Sequence, residues 1–195
     1  MASAYVAGSA STAYYVARLL GGVDIRERGR RNAGALNVFR EVGGWAGAAV
    51  LAIDAAKGAA VVLVVTLGDL GDATMFFAGI ALLVGHNHPL FLGFRGGKGV
   101  AVIFGLSMAV LPLMTVISSL LAVAFGLASR NVVFGIGAGF VALNVLTIAT
   151  GQDASQIAVC LTLSAIVVAT HFALSYRDVI AAVKTRGVWG LFEAE

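Results

Sequence analysis

The chain has 195 residues, 59% of them hydrophobic and only 12% charged, with 13 Lys and Arg against 10 Asp and Glu for a net charge of +3. Soluble domains carry about 25% charged residues, so this chain lacks the polar surface a soluble fold needs, and its 25 glycines suit membrane helices that pack closely. The single cysteine, Cys160, excludes a disulfide framework, and no nucleic-acid partner is expected.

The first apolar window, residues 3–20, has no basic start and contains Ser, Thr and Tyr. It reads as a retained helix and not as a cleaved signal. Residues 21–44 follow as a basic loop. Five arginines, Arg26, Arg28, Arg30, Arg31 and Arg40, and two asparagines, Asn32 and Asn37, fall within residues 24–40. Arg grips phosphate as a planar fork, and Asn adds neutral donors and acceptors. Arg26, Arg28, Arg30 and Arg31 equally suit a topogenic loop that meets anionic lipid heads, but Gly34, Asn32 and Asn37 are not explained that way.

Window 45–67 carries Asp54 and Lys57, three residues apart on one helical face. Charges at membrane depth face the interior or a wet cavity. The pair is therefore either a mutual ion pair or one in which Lys57 lines a polar cleft under the basic loop. Trp45 and Trp189 read as interfacial anchors.

Window 73–92 runs into the densest motif, Gly85-His86-Asn87-His88-Pro89-Leu90-Phe91-Leu92-Gly93-Phe94-Arg95-Gly96-Gly97-Lys98-Gly99-Val100. Its end has the makings of an anion-holding loop. Glycine permits positive φ and lets N–H groups turn to one side. Arg95 and Lys98 add charge, and the next helix offers its positive end. A phosphate fits that description. The motif is not a P-loop, because Leu92 stands where the first Gly would be and neither Ser nor Thr follows Lys98. The plain alternative is a tight interhelical loop with a snorkelling lysine. His86 and His88 have no further ligands at metal spacing, so no metal is expected. His86 is expected to hold a loop carbonyl or a substrate oxygen.

Window 99–128 would rise ~45 Å as one helix against a ~30 Å hydrocarbon core, and Pro112 near its middle predicts two shorter helices. In window 132–150, Gly135, Gly137 and Gly139 predict helix packing. In window 155–176, His171 is expected to bond a neighbouring helix. No linker, internal repeat or second domain interrupts residues 1–195, which read as a single domain. With the N-terminus outside and seven crossings, the inner segments hold Arg26, Arg28, Arg30, Arg31, Arg40, Arg95, Lys98, Arg130, Arg177, Lys184 and Arg186. The outer loops then hold only Asp69, Asp72 and Asp153, the asymmetry of the positive-inside rule. The expected fold is all-α, a polytopic integral membrane protein of about seven transmembrane helices with a cytoplasmic C-terminus. No serine, cysteine or histidine triad is present, so catalysis would rest on positioning and charge stabilisation.

Gly85-His86-x-x-Pro89-x-Phe91-Leu92-x-Phe94-Arg95-Gly96-Gly97-Lys98-Gly99-Val100-Ala101 resembles the second signature of the bacterial acyl-phosphate:glycerol-3-phosphate acyltransferases. Gly29-x-x-Asn32-x-Gly34-Ala35-x-Asn37-Val38-x-Arg40 is similar to their first signature, and Asp54-x-x-Lys57-Gly58 to the segment after it. The resemblance implies transfer of a fatty acyl group from acyl phosphate to the 1-hydroxyl of glycerol 3-phosphate, giving lysophosphatidic acid and phosphate. It implies no metal or other cofactor, membrane lipids as neighbours, and a bacterial inner-membrane location with the site facing the cytoplasm. Oligomeric state is left open. It also implies roles for residues. Lys98, Arg40, Asn37 and His86 would be catalytic. Asn32, Gly34, Lys57, Arg95, Gly96, Gly97 and Gly99 would bind substrate, and the acyl tail would lie between helices.

The chain departs from the family pattern in places. Gly29-Arg30-Arg31-Asn32 stands where the family reads Gly-Ser-Gly-Asn, and Gly34-Ala35-Leu36-Asn37 where it reads Gly-Ala-Thr-Asn. Val102 replaces a residue that is often Thr. Ser175-Tyr176-Arg177-Asp178-Val179-Ile180 replaces an Arg-His-x-x-Asn-Ile signature. Two other readings therefore stand beside the enzyme: a repurposed relative that binds an anionic lipid or phosphorylated ligand, and a small transporter of a phosphorylated solute. The outer loops, which hold no cation, disfavour the transporter.

Overall fold

The computed structural model describes the backbone of residues 1–186 and the side chains of residues 1–173. Trp189 and the side chains of residues 175–180 lie outside the described residues. All regular elements among the described residues are helical: α1 (Ala2–Ser9), α2 (Thr12–Gly21), α3 (Ala35–Glu41), α4 (Gly44–Leu67), α5 (Gly71–Asn87), α6 (Val100–Val110), α7 (Pro112–Ser129), α8 (Val132–Ala149) and α9 (Ala154–Arg186). In lipid, a helix satisfies every backbone group internally. Five helical segments are long and apolar enough to cross a membrane: Gly44–Leu67, Gly71–Leu92, Pro112–Ser129, Val132–Ala149 and Ala154–Ala173.

Two windows break. The expected split of window 99–128 occurs where Pro112 takes the first position of α7, immediately after Leu111 ends α6. At 11 residues α6 rises only ~16 Å, about half the hydrocarbon core. Window 3–20, expected as one helix, is also two, divided at Ala10 and Ser11. Tertiary contacts hold that division. Lys57 Nζ on α4 donates to the Ala10 carbonyl and, at 2.7 Å, to Thr12 Oγ1. Thr12 Oγ1 donates in turn to Asp54 Oδ1 at 2.8 Å. The expected Asp54–Lys57 ion pair is present at 3.1 Å. Lys57 is thus spent on the carbonyl that the break frees.

Small residues set how closely helices approach. A Cβ at Gly58 would stand 2.1 Å from the Val102 carbonyl oxygen, and one at Gly105 1.8 Å from that of Ala55, so α4 and α6 meet backbone to backbone. Gly135 and Gly139 of α8 face α7 in the same way, whereas Gly137 has open space beside it and takes no part in the packing its spacing predicts. Trp45, at the start of α4, is 92% exposed, in keeping with an interfacial anchor.

Two apolar clusters set the loops side by side. Ala13, Ala17, Ile25, Val38 and Val50 pack beneath the basic loop and α3. Leu83, Ile103, Leu106 and Leu163 pack beneath the stretch between α5 and α6.

Candidate functional site

The basic loop folds around one buried amide. Asn37, 2% exposed on α3, donates from Nδ2 to the carbonyls of Ile25 (3.0 Å), Arg28 (3.1 Å) and Asn32 (2.9 Å). Its Oδ1 accepts the Arg30 backbone N–H at 3.0 Å. An amide has two N–H donors and one carbonyl, so this side chain is fully occupied in shaping the loop. Asn37 is therefore a positioning residue in this geometry. Gly29 takes φ +50°, and a Cβ there would stand 2.4 Å from Asn37 Oδ1 and 2.6 Å from Glu41 Oε1, so the position favours glycine.

The basic loop is tied to the stretch between α5 and α6 by three links. The Ala33 N–H donates to the Gly96 carbonyl at 3.1 Å. Arg26 Nη1 donates to the Leu92 carbonyl at 2.8 Å. Arg95 Nη1 pairs with Glu27 at 2.9 Å while its Nη2 reaches the Arg26 carbonyl at 3.2 Å. Arg26 also closes a fork on Asp24 and lies 4.9 Å above the Tyr14 ring. Its guanidinium holds the Asp24 carboxyl at about 2, well below the ordinary 3.8. Arg26 is thereby structural, and Arg95 is tethered at the rim of the cleft it was expected to serve.

The glycines of the Arg95–Gly99 stretch work differently from the expectation. Gly99 does take positive φ, at +81°, as the residue before α6. Gly96 and Gly97 do not stand among the positive-φ residues; close approach is what requires them. A Cβ at Gly97 would stand 2.3 Å from His86 Nε2 and 2.7 Å from the Ala33 carbonyl oxygen. One at Gly96 would stand 2.2 Å from the His86 carbonyl oxygen. The Gly97 N–H is already bonded to that carbonyl at 3.1 Å, so it does not join a ring of free donors. His86 is buried beneath the loop as its floor, with Nδ1 lacking a partner among the described residues.

A cleft of about 350 Å³ opens above this floor, bounded by Arg31, Asn32, Phe94, Arg95 and Gly96 on one side and by Asn87 and Thr170 on the other. Asn87 Nδ2 donates to Thr170 Oγ1 at 3.0 Å. On the next residue of α9, His171 Nδ1 lies 3.1 Å from Lys98 Nζ. His171 was expected to bond a neighbouring helix; its partner is instead the lysine of the loop. The oxygens Asn32 Oδ1 and Asn87 Oδ1 and the nitrogen Arg30 Nη2 are buried and make no hydrogen bond among the described residues. Unsatisfied buried polar atoms of this kind fit a polar ligand. Arg40 is exposed on α3 and makes no hydrogen bond or ion pair with the described residues. Gly34 begins α3.

A second, apolar groove of about 100 Å³ lies between α6, α7 and α8, from Val100 past Ile103, Ser107 and Thr115 to Phe140. Its first residue is two positions after Lys98.

Sequence reasoning named Asn32, Arg95 and Gly96, which line the cleft together, and Lys98, which meets His171 beside it. It missed Asn87, Thr170 and the pairing of His171 with Lys98. A histidine in the apolar run of α9 was the available signal, but its partner lies 73 residues away.

Comparison with known proteins agrees across the chain. The family model described as glycerol-3-phosphate acyltransferase matches residues 1–179. A glycerol-3-phosphate acyltransferase of Halalkalibacterium halodurans is 41% identical over 147 residues, covering 74% of this chain and 71% of that one. One of Syntrophotalea carbinolica is 35% identical over 170 residues, covering 87% of each. Crystal structures of PlsY (YgiH), an integral membrane glycerol 3-phosphate acyltransferase, are similar in fold at 30% identity. The glycerol 3-phosphate form gives a TM-score of 0.81 over 94% of this chain and 90% of that one. The lysophosphatidic acid form gives 0.79 over 94% and 89%.

Proposed function

Since this chain belongs to the glycerol-3-phosphate acyltransferase family, we propose that the cleft beside Lys98 is its acyl-transfer site and that acyl phosphate is the donor. The enzyme acylates glycerol 3-phosphate in phospholipid synthesis, as an integral membrane protein. The observation that carries the assignment of the site is the position of Lys98. Its ammonium stands against His171 beside a cleft lined by arginines and orphaned amide oxygens, and the apolar groove begins at Val100. One substrate is a small phosphate ester and the other an acyl chain with a phosphate head, so a polar cleft beside Lys98 and an apolar groove whose lining starts two residues after it suit both.

The reaction needs no covalent nucleophile from the protein. The 1-hydroxyl oxygen of glycerol 3-phosphate attacks the acyl carbonyl carbon, the new ester bond forms, and the bond from that carbon to the phosphate oxygen breaks. The hydroxyl proton leaves with the departing phosphate. Charge develops on the carbonyl oxygen and then on the leaving phosphate, and fixed cations lower the barrier where it develops. Lys98 supplies that charge, Asn32 and Arg95 bound the polar substrate, and His86, Gly96, Gly97 and Gly99 form the floor and turn that hold Lys98 in place. Asn37 and Lys57 act through the scaffold, and Arg40 presents its charge from the surface of α3. The described residues read as one domain. The basic loops face the cytoplasm, the N-terminus faces outward, and the membrane is the bacterial inner membrane, readings that rest on the charge asymmetry of the loops.

The test is phosphate release from detergent-purified protein given palmitoyl phosphate, with and without glycerol 3-phosphate, beside Lys98→Ala. Release that needs both glycerol 3-phosphate and Lys98 is expected, with at least a 100-fold loss in the variant, on the order of the cost of removing one oxyanion-stabilising donor. Unchanged turnover in folded Lys98→Ala would remove this cleft from the reaction.

A further inference from the structure

Arg30 is half-buried in the basic loop, and its backbone N–H is fixed by Asn37 Oδ1 at 3.0 Å. Its Nη2 is enclosed and has no acceptor among the described residues. A guanidinium has five N–H donors and no means of shedding its charge, so an orphaned buried nitrogen there calls for an anionic acceptor. Arg30 directly precedes Arg31 and Asn32, which line the cleft together with Thr170, the neighbour of His171, and Lys98 Nζ lies 3.1 Å from His171 Nδ1. The basic loop, the loop before α6 and α9 thus bring two cations to one cleft. An ammonium can only donate, so His171 Nδ1 is the acceptor of the 3.1 Å bond and the ring proton sits on Nε2. In that tautomer the ring fixes where Lys98 Nζ points.

We infer that Arg30, Lys98 and His171 form one phosphate clasp, in which Arg30 contacts a substrate phosphate directly and His171 is the positioning residue for Lys98. This rests on the reading of the Lys98 cleft as the acyl-transfer site. The ligand class is a phosphate monoester or acyl phosphate dianion, whose oxygens match a guanidinium fork and an ammonium held together. The clasp belongs to this chain in particular, because Arg30 stands where the family pattern described above has serine.

The experiment measures KM for glycerol 3-phosphate and for palmitoyl phosphate, with kcat, in wild type, Arg30→Gln, Arg30→Lys, His171→Asn, His171→Leu and Lys98→Ala, each checked for folding by thermal unfolding in detergent. Arg30→Gln should raise one of the two KM values by about tenfold or more, a typical loss for a charge-assisted hydrogen bond, with kcat changed less. Arg30→Lys should keep it within a few fold. The substrate whose KM rises identifies which phosphate the clasp holds. His171→Asn, which retains an acceptor near the Nδ1 position, should keep most of kcat/KM, and His171→Leu should not. Both KM values within twofold of wild type in Arg30→Gln, or equal losses in His171→Asn and His171→Leu, would overturn the clasp while an inactive Lys98→Ala left the site standing. An active Lys98→Ala would overturn both.

Discussion

Arg31 stands at φ +54°, a left-handed conformation that costs a side-chain-bearing residue roughly 1 kcal/mol, and it borders the cleft. Glycine occupies this position in the family pattern, which the backbone explains directly. Arg31→Gly should raise stability by about 1 kcal/mol, read as a higher thermal midpoint in detergent; an unchanged or lower midpoint would show that the guanidinium recovers the strain through its own contacts. Asp24 offers a second test. Its carboxyl is held at about 2 in the folded loop against 3.8 for the free group. The folded state therefore takes up the proton later than the unfolded state does. The stability this gives is fully present above pH 3.8 and disappears as pH falls through about 2. Between those values the thermal midpoint of wild type should fall more steeply than that of Asp24→Asn, and parallel curves would show that Asp24 does not couple to folding. At this scale the sequence disclosed residue types and little of their tasks. Asn32 and Asn37 look alike in the motif, yet Asn37 spends its whole amide on four backbone groups while Asn32 keeps a buried oxygen for the cleft.

Helix breaks follow two different causes here. Pro112 cannot donate a backbone hydrogen bond or continue α6, so that break is local and legible in the sequence. The break at Ala10 and Ser11 has neither Pro nor Gly to announce it, and its stabilising partner Lys57 lies 47 residues away. Lys57→Met would orphan the Ala10 carbonyl and leave Asp54, 1% exposed, with Thr12 alone. Breaking a buried pair on one side costs about 3–5 kcal/mol. The single variant should therefore unfold at a much lower temperature, and Lys57→Met combined with Asp54→Asn should recover most of the loss. Equal midpoints for the single and double variants would show that Asp54 is not the source of the penalty. Short helices were also missed where tertiary packing creates them: α3 is seven residues long, far below the length at which a helix stands alone, and was read as plain loop.

Charge distribution sets the orientation of the molecule. With Cys160 replaced by serine, Asp69→Cys should react with a membrane-impermeant maleimide on intact cells and Arg28→Cys should not; the reverse pattern would invert the topology. The helical membrane architecture and the two loop motifs were visible in composition and spacing, because apolar length and clustered cations are properties of sequence windows. The closing of the cleft by α9 was not, because Thr170 and His171 meet Asn87 and Lys98 across 83 and 73 residues. The three ties between the basic loop and the stretch before α6 bear on how the protein is made. Arg26 waits for a carbonyl 66 residues downstream, and Arg95 returns to one 69 residues back. At roughly 5–20 residues per second of synthesis, the basic loop spends several seconds without the partners that shape it. During that interval α4 and α5 must enter the bilayer while the arginines stay behind at its surface among lipid phosphates. Nascent chains halted before Leu92 would carry every arginine of that loop and none of its ties to the second, so the cleft is assembled late in biosynthesis.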